Sequence, residues 1–294
     1  MSLGNKVNMP AGLVIGQALP GPETPEACHL YVSLADMLFE QLGFHPAYEQ
    51  VLSQLPDSVT SAIEALLGDD QDNNFVDRLV ASISAAYKTD YRTVRISLNS
   101  ACSDQLASLP GGAVETKETN PAMGLRGVSR FASAIFAPVF ALECEVIKQL
   151  RTQGIPVEIV VPFVRTLSDA AKIIDLLAEQ GLPRGLNGLK VHFAVDVPSA
   201  AVLADRLLHY FDGVVIDVEN LAQFTLAVDR NNPALSYLYD PENDAVIELI
   251  ELVVKAIADT HKPALVVATK LADAPKLSSF LAEQPQLELV EKQA

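Results

Sequence analysis

Eight short apolar runs rich in β-branched residues recur along this chain: Gly12 to Gly16, Leu30 to Leu34, Thr93 to Leu98, Val157 to Val161, Leu189 to Val195, Gly213 to Ile216, Ala264 to Val267 and Leu287 to Val290. Several, such as IPVEIVVPF, GLKVHFAVDVP, FDGVVIDV and KPALVVATK, are apolar nearly throughout and do not alternate with polar residues. A strand with one face in water shows a polar residue at every second position; a parallel strand buried on both faces does not. Helices must therefore cover these strands.

The segments between the runs supply them. Apolar positions recur three and four apart in LSDAAKIIDLLAEQG, PSAAVLADRLLHYFDG and PENDAVIELIELVVKAIADTHK, as one buried helix face requires. Ser168 reads as the N-cap of the first and Gly181 as its stop; Ser199, after Pro198, opens the second, which ends before Gly213. From Val157 onward strand and helix alternate, the pattern of a right-handed βα repeat, and eight strands predict a closed (β/α)8 TIM barrel. Two or three helices are expected between Pro46 and Lys88, turning at Gly68 to Asn74, and Ser100 to Asn120 is expected to be a long loop after the third strand. With no repeat, low-complexity tract or Pro/Ser-rich linker, residues 1–294 read as a single barrel, which the chain leaves soon after the eighth strand with no closing helix.

Charge narrows the partners. Lys and Arg number 21 against 37 Asp and Glu, a formal charge of −16, and no basic run is present, which disfavours nucleic acid and anionic membrane surfaces. No apolar stretch approaches the ~20 residues needed to cross a bilayer, and the first residues lack the pattern of a secretory signal. Cys28, Cys102 and Cys144 form no Cys-x-x-Cys pair, which fits a reducing cytoplasm.

In a barrel of this type the site lies at the C-terminal ends of the strands. The polar residues to weigh are Arg95, Arg126, Arg130, Arg165, Asp196, Asp217, Glu219, Asn220 and Arg230. Carboxylates on neighbouring strands suit Mg2+, and arginines suit a small dianion. Taken singly, Asp196 reads as a helix cap, Glu219 as a favourable charge at a helix N-terminus, and each arginine as a surface ion pair. None of the five histidines has a partner identifiable from sequence, and no Walker loop, GxGxxG or nucleophile elbow is present.

Two longer segments are more specific. NPAMGLRGVSRF with FAPVFALECEVIKQLRTQGIPVEIVVPFVRTL, and QGLPRGLNGLKVHFAVDVPSAAVLADRLLHYFDGVVIDVENLAQFTLAVDRNN, resemble the C-terminal barrel of phosphoenolpyruvate (PEP) synthase, shared with pyruvate phosphate dikinase and enzyme I of the sugar phosphotransferase system. The resemblance is clearest from Asn120 to Asn232 and weaker through TVRISLNSACSDQLASLPGG. It implies a barrel that binds PEP or pyruvate with Mg2+ and exchanges a phosphoryl group with a histidine on a separate domain. No such domain, and no nucleotide-binding domain, is evident in this sequence.

Carried over by residue, the resemblance makes Arg95, Arg126 and Arg230 the anion clamps. The family's metal-binding Glu is Asp196 here, one methylene shorter, and its metal-binding Asp is Asn220, with Glu219 and Asp217 left as alternative acids. The family's proton-donating cysteine falls at Val267, which has no proton to give, and none of the three cysteines aligns near that position. An upstream arginine is replaced by Ser33, while Lys270 stands close to Val267 in sequence as a substitute cation. The expected protein is a divergent barrel that binds a small carboxylate or phosphate such as PEP, pyruvate or oxalate, with Mg2+ held by Asp196, Glu219 and Asn220, and without phosphotransfer. The alternatives are a Mg2+-dependent 2-oxo acid lyase or aldolase, with Arg95 at the developing oxyanion, and a non-catalytic oligomerisation module. The family's barrels imply a homodimer.

Overall fold

A computed structural model describes residues 12–67 and 75–293. The expected turn at Gly68 to Asn74 and the first eleven residues lie outside the described residues. Nine parallel strands form one sheet: β1 (Val14–Ile15), β2 (Gln17–Leu19), β3 (Leu30–Ser33), β4 (Val94–Ser97), β5 (Val157–Val161), β6 (Val191–Val195), β7 (Gly213–Asp217), β8 (Ala264–Thr269) and β9 (Leu287–Lys292). From β3 to β9 each strand pairs with the next, β1 pairs with β9, and β2 pairs with β3. The result is a nearly closed (β/α)8 barrel.

β1 and β2 are halves of one strand, which extends past the expected Gly16 to Leu19. Gly16 donates its N–H to Leu289 O at 2.8 Å, and Gln17 donates to His29 O at 2.8 Å. The segment thus passes its pairing from the last strand to the second, which closes the barrel. A Cβ at Gly16 would lie 2.1 Å from His29 Nε2, so glycine lets the His29 ring fill this seam.

The apolar runs divide by period two. Ala18, Tyr31, Val160, Ala194, Val215, Leu265, Val267 and Val290 form one cluster inside the barrel. Val32, Ile96, Ile159, Val161, Phe193, Val195, Ile216 and Val266 face the helices as part of a larger core. Both faces are buried, so the strand sequences show little alternation.

The cover comes chiefly from helices Ala137–Thr152, Leu167–Glu179, Val218–Leu226 and Asp244–Thr260. Thr166, not Ser168, caps the helix Leu167–Glu179, accepting the Asp169 N–H at 3.1 Å, and Gly181 follows its end at φ +79°. Pro198, not Ser199, opens the next helix, which stops at Val202 and resumes at Ala204–Leu207. Helices Asp57–Leu67 and Phe75–Ala86 occupy the stretch expected to be helical before β4. The segment after β4 is not all loop: Ser103–Ala107 is helical.

Candidate functional site

The barrel's two ends carry different chemistry. At the end where the strands begin, Arg95, Glu158, His192 and Glu288, each the second residue of its strand, meet in the interior. Arg95 Nε lies 3.2 Å from Glu158 Oε2, and its Nη2 lies 3.2 Å from Glu288 Oε1. His192 Nε2 lies 2.9 Å from Glu158 Oε2, Lys190 Nζ 3.2 Å from Glu158 Oε1, and His29 Nδ1 3.4 Å from Glu288 Oε2. Burial alone would raise the Glu158 pKa, but His192, Arg95 and Lys190 hold it well below the usual carboxylate range. Arg95 therefore does not stand with the other expected anion clamps. Its position near the start of β4 sends the guanidinium to the barrel floor, where two buried carboxylates take it.

At the opposite end Phe163 organises the site. It follows β5 at φ +53°, a conformation uncommon for a residue with a large side chain. Its N–H donates to Asp196 Oδ2 at 2.7 Å, and its ring lies 4.1 Å beneath the Arg126 guanidinium. Arg126 is further held by Ser100 O, at 2.9 Å from Nε and 2.7 Å from Nη2, and by Ala122 O, 3.0 Å from Nη1. Burial lowers its pKa, and the positive charge of Arg230 adds to that lowering.

Arg126, Asn220 and Arg230 line one cavity of about 430 Å³, together with Cys102, Gln223 and Phe224. Gln223 Oε1 accepts the Arg230 N–H at 3.2 Å, and the Arg230 Nη1 is buried without a hydrogen-bond partner. Asp104 and Asp229 also line this cavity, and the two guanidinium groups within it offer N–H donors suited to a bound anion. Of the other arginines, Arg130 pairs with Glu115 at 3.0 Å and stacks on Phe136, while Arg165 donates to Phe163 O at 3.3 Å.

The expected metal ligands are brought to one corner but not into a metal geometry. Asp196 caps no helix; its Oδ1 accepts from Asn220 Nδ2 at 2.8 Å. Glu219 turns away to Thr269, accepting from its N–H at 2.6 Å and its hydroxyl at 2.8 Å. Asp217 Oδ1 caps the helix Val218–Leu226 by accepting the Asn220 N–H at 2.8 Å. Burial, then the Asp217 charge, pushes Asp196 up to about 6 and also raises Glu219. Among the described residues no group of three or more His, Cys, Asp or Glu side chains is arranged to hold a metal ion. An amide N–H pointing at the carboxylate oxygen that would face the ion does not fit Mg2+, which needs converging oxygens in near-octahedral array. Asp196 and Asn220 are thus bonded to each other and Glu219 to Thr269.

A cation is nevertheless present in that mouth. Lys292, at the end of β9, pairs with Asp36; burial would lower its pKa, but Asp36, Asp217 and Glu219 raise it. Sequence passed over Lys292 in favour of Lys270, which is exposed. Register connects them: Lys292 lies opposite Thr269, the residue that holds Glu219. Val267 is fully buried in the apolar interior. Cys102, passed over as remote from Val267, lines the Arg126 cavity; burial, then Asp104, pushes its thiol up to about 11, so it is protonated at neutral pH.

The glycine after Arg126 is required by this arrangement. Gly127 has φ +55°, and a Cβ there would lie 2.4 Å from Pro162 O and 2.6 Å from Phe163 Cβ. Gly127→Ala is expected to cost about 1–3 kcal/mol by overpacking and to weaken anion binding by displacing the Phe163 ring from under Arg126. Urea unfolding and anion titration of the variant check both effects.

The family model "PEP-utilising enzyme, PEP-binding domain" matches residues 62–285. The chain belongs to the PEP-utilising enzymes. Among the relatives of this PEP-utilising barrel, the phosphoenolpyruvate synthase of Pseudomonas aeruginosa is 36% identical over 262 residues, covering 86% of this chain and 33% of that protein. That of Escherichia coli is 36% identical over 264 residues, with the same coverage, and that of Deinococcus radiodurans is 39% identical over 208 residues, covering 70% and 26%. The chain thus spans about a third or less of the length of these relatives. No helix among the described residues is long and apolar enough to cross a membrane.

Proposed function

We propose that this PEP-utilising barrel binds a small carboxylate or phosphate of the PEP, pyruvate or oxalate type between Arg126 and Arg230, without a divalent cation and without phosphotransfer. The observation that carries it is the convergence of two arginines on one cavity, with the buried Arg230 Nη1 left unpaired. A buried guanidinium N–H without an acceptor is costly, and an anion supplies the acceptor. Absence of phosphotransfer is supported by Val267, which offers no proton at the position the resemblance assigns to a cysteine, and by the Asp196 and Asn220 pairing that replaces two metal-binding acids. The unpaired thiols of Cys28, Cys102 and Cys144 support a reducing, cytoplasmic setting.

Calorimetric titration of oxalate and of PEP tests this on the wild type, Arg126→Ala and Arg230→Ala, each with Mg2+ and with a chelator. Each substitution is expected to weaken binding about 10- to 100-fold, as for loss of charge-assisted hydrogen bonds, and Mg2+ to leave affinity unchanged within threefold. Affinity that survives both substitutions, or that appears only with Mg2+, overturns the proposal.

A further inference from the structure

We infer that the anion cavity selects 2-hydroxy carboxylates over the corresponding 2-oxo carboxylates, with Asn220 as the specificity-determining residue; this rests on the anion-binding role of Arg126 and Arg230 proposed above. Asn220 lines the cavity with those arginines and is 3% exposed. Its amide can be oriented in only one way. Asp196 offers acceptors on both oxygens, Oδ2 taking the Phe163 N–H at 2.7 Å, so the Asn220 NH2 must face Oδ1, as it does at 2.8 Å. The amide oxygen is thereby turned away from Asp196, and Asn220 Oδ1 is buried with no hydrogen-bond donor.

A buried carbonyl oxygen without a donor is an energetic defect unless a ligand corrects it. The two arginines take the carboxylate. Beside them, a ligand hydroxyl donates to Asn220 Oδ1, whereas a keto oxygen sets its lone pairs against those of the amide. Sites that hydrogen-bond a ligand hydroxyl discriminate strongly against analogues that lack it, because the site's own polar group is then left unpaired. A 2-ammonium group could also donate, and because Asp104 and Asp229 line the cavity beside the two guanidinium groups, L-alanine is the control that separates a hydroxyl from an ammonium donor. The hydroxyl supplies the donor with no charge of its own, and it needs no metal to polarise it.

The test is calorimetric titration of wild-type protein, in chelator, with D-lactate, L-lactate, pyruvate and L-alanine. One lactate enantiomer is expected to bind at least tenfold more tightly than pyruvate and than alanine. Asn220→Leu, similar in volume but with no acceptor, is expected to bring the lactate-to-pyruvate ratio to within threefold. Pyruvate binding as tightly as either lactate, alanine binding more tightly than lactate, or a ratio unchanged in Asn220→Leu overturns the selectivity while leaving anion binding intact. No heat from lactate, pyruvate, oxalate or PEP overturns both. If Asn220→Leu does not fold, the wild-type series alone decides.

Discussion

Arg95→Ala is expected to destabilise the folded chain by about 3–5 kcal/mol, the usual cost of removing one partner from a buried ion cluster. It is also expected to leave oxalate affinity within threefold of wild type. Arg95 is 4% exposed and lies between Glu158 and Glu288, so its loss leaves two carboxylates in the barrel interior with only His192, His29 and Lys190 to answer them. The sign with pH follows from the depressed pKa values of Glu158 and Glu288. Carboxylates held below their unfolded value stabilise the fold above about pH 4.5, and that stability is lost as pH falls through the folded pKa. The penalty of Arg95→Ala is therefore full at neutral pH and shrinks in acid. Urea unfolding at several pH values measures it. A folded Arg95→Ala that no longer binds oxalate would return Arg95 to the anion site and sink this assignment.

Glu143→Gln is expected to change stability in the opposite pH sense. Glu143 lies in the helix Ala137–Thr152, is 2% exposed, and accepts the Asn99 N–H at 2.9 Å. Burial pushes its carboxyl up to about 7, against smaller lowering contributions from the Asn99 N–H and Arg130. An acid whose folded pKa is raised holds its proton after the unfolded chain has released its own. The fold therefore loses stability as pH rises from about 4.5 to about 7, by roughly 3 kcal/mol at 1.36 kcal/mol per unit. Glutamine keeps the acceptor for Asn99 and cannot ionise. The stability of Glu143→Gln relative to wild type should rise by roughly 3 kcal/mol between pH 4.5 and pH 8. Parallel urea titrations that give the same difference at both ends of that range would mean that Glu143 ionises freely in the folded protein.

Much of the site was legible as residue types and little of it as geometry. Arg126 and Arg230 were found because each stands in a segment that resembles a family motif, and the fold brings both to one cavity. Arg95 was read from the same kind of evidence and lies at the other end of the barrel. Strand sequence shows that a residue faces inward; the end toward which a long side chain bends depends on charges contributed by other strands, here Glu158 and Glu288, far from it along the chain. Lys292 and Cys102 were missed for a related reason, since neither lies in a recognisable pattern and each acquires its neighbours only when the strand ends and the segment after β4 come together.

The sequence by itself determined the class of the fold. Apolar runs that do not alternate demand cover on both faces, helical periods between them provide it, and parallel order with eight such units leaves a barrel as the simplest closure. Tertiary structure alone decided how that barrel closes, through the transfer of pairing at Gly16, and what its acids do. Burial of a pattern depends on local periodicity, which a chain carries along its length. Whether Asp196 meets a metal or an amide depends on the rotamer and hydrogen-bond partner of Asn220, set by Phe163, Asp196 and Asp217 from three different segments, and no periodicity in any one of them encodes that meeting.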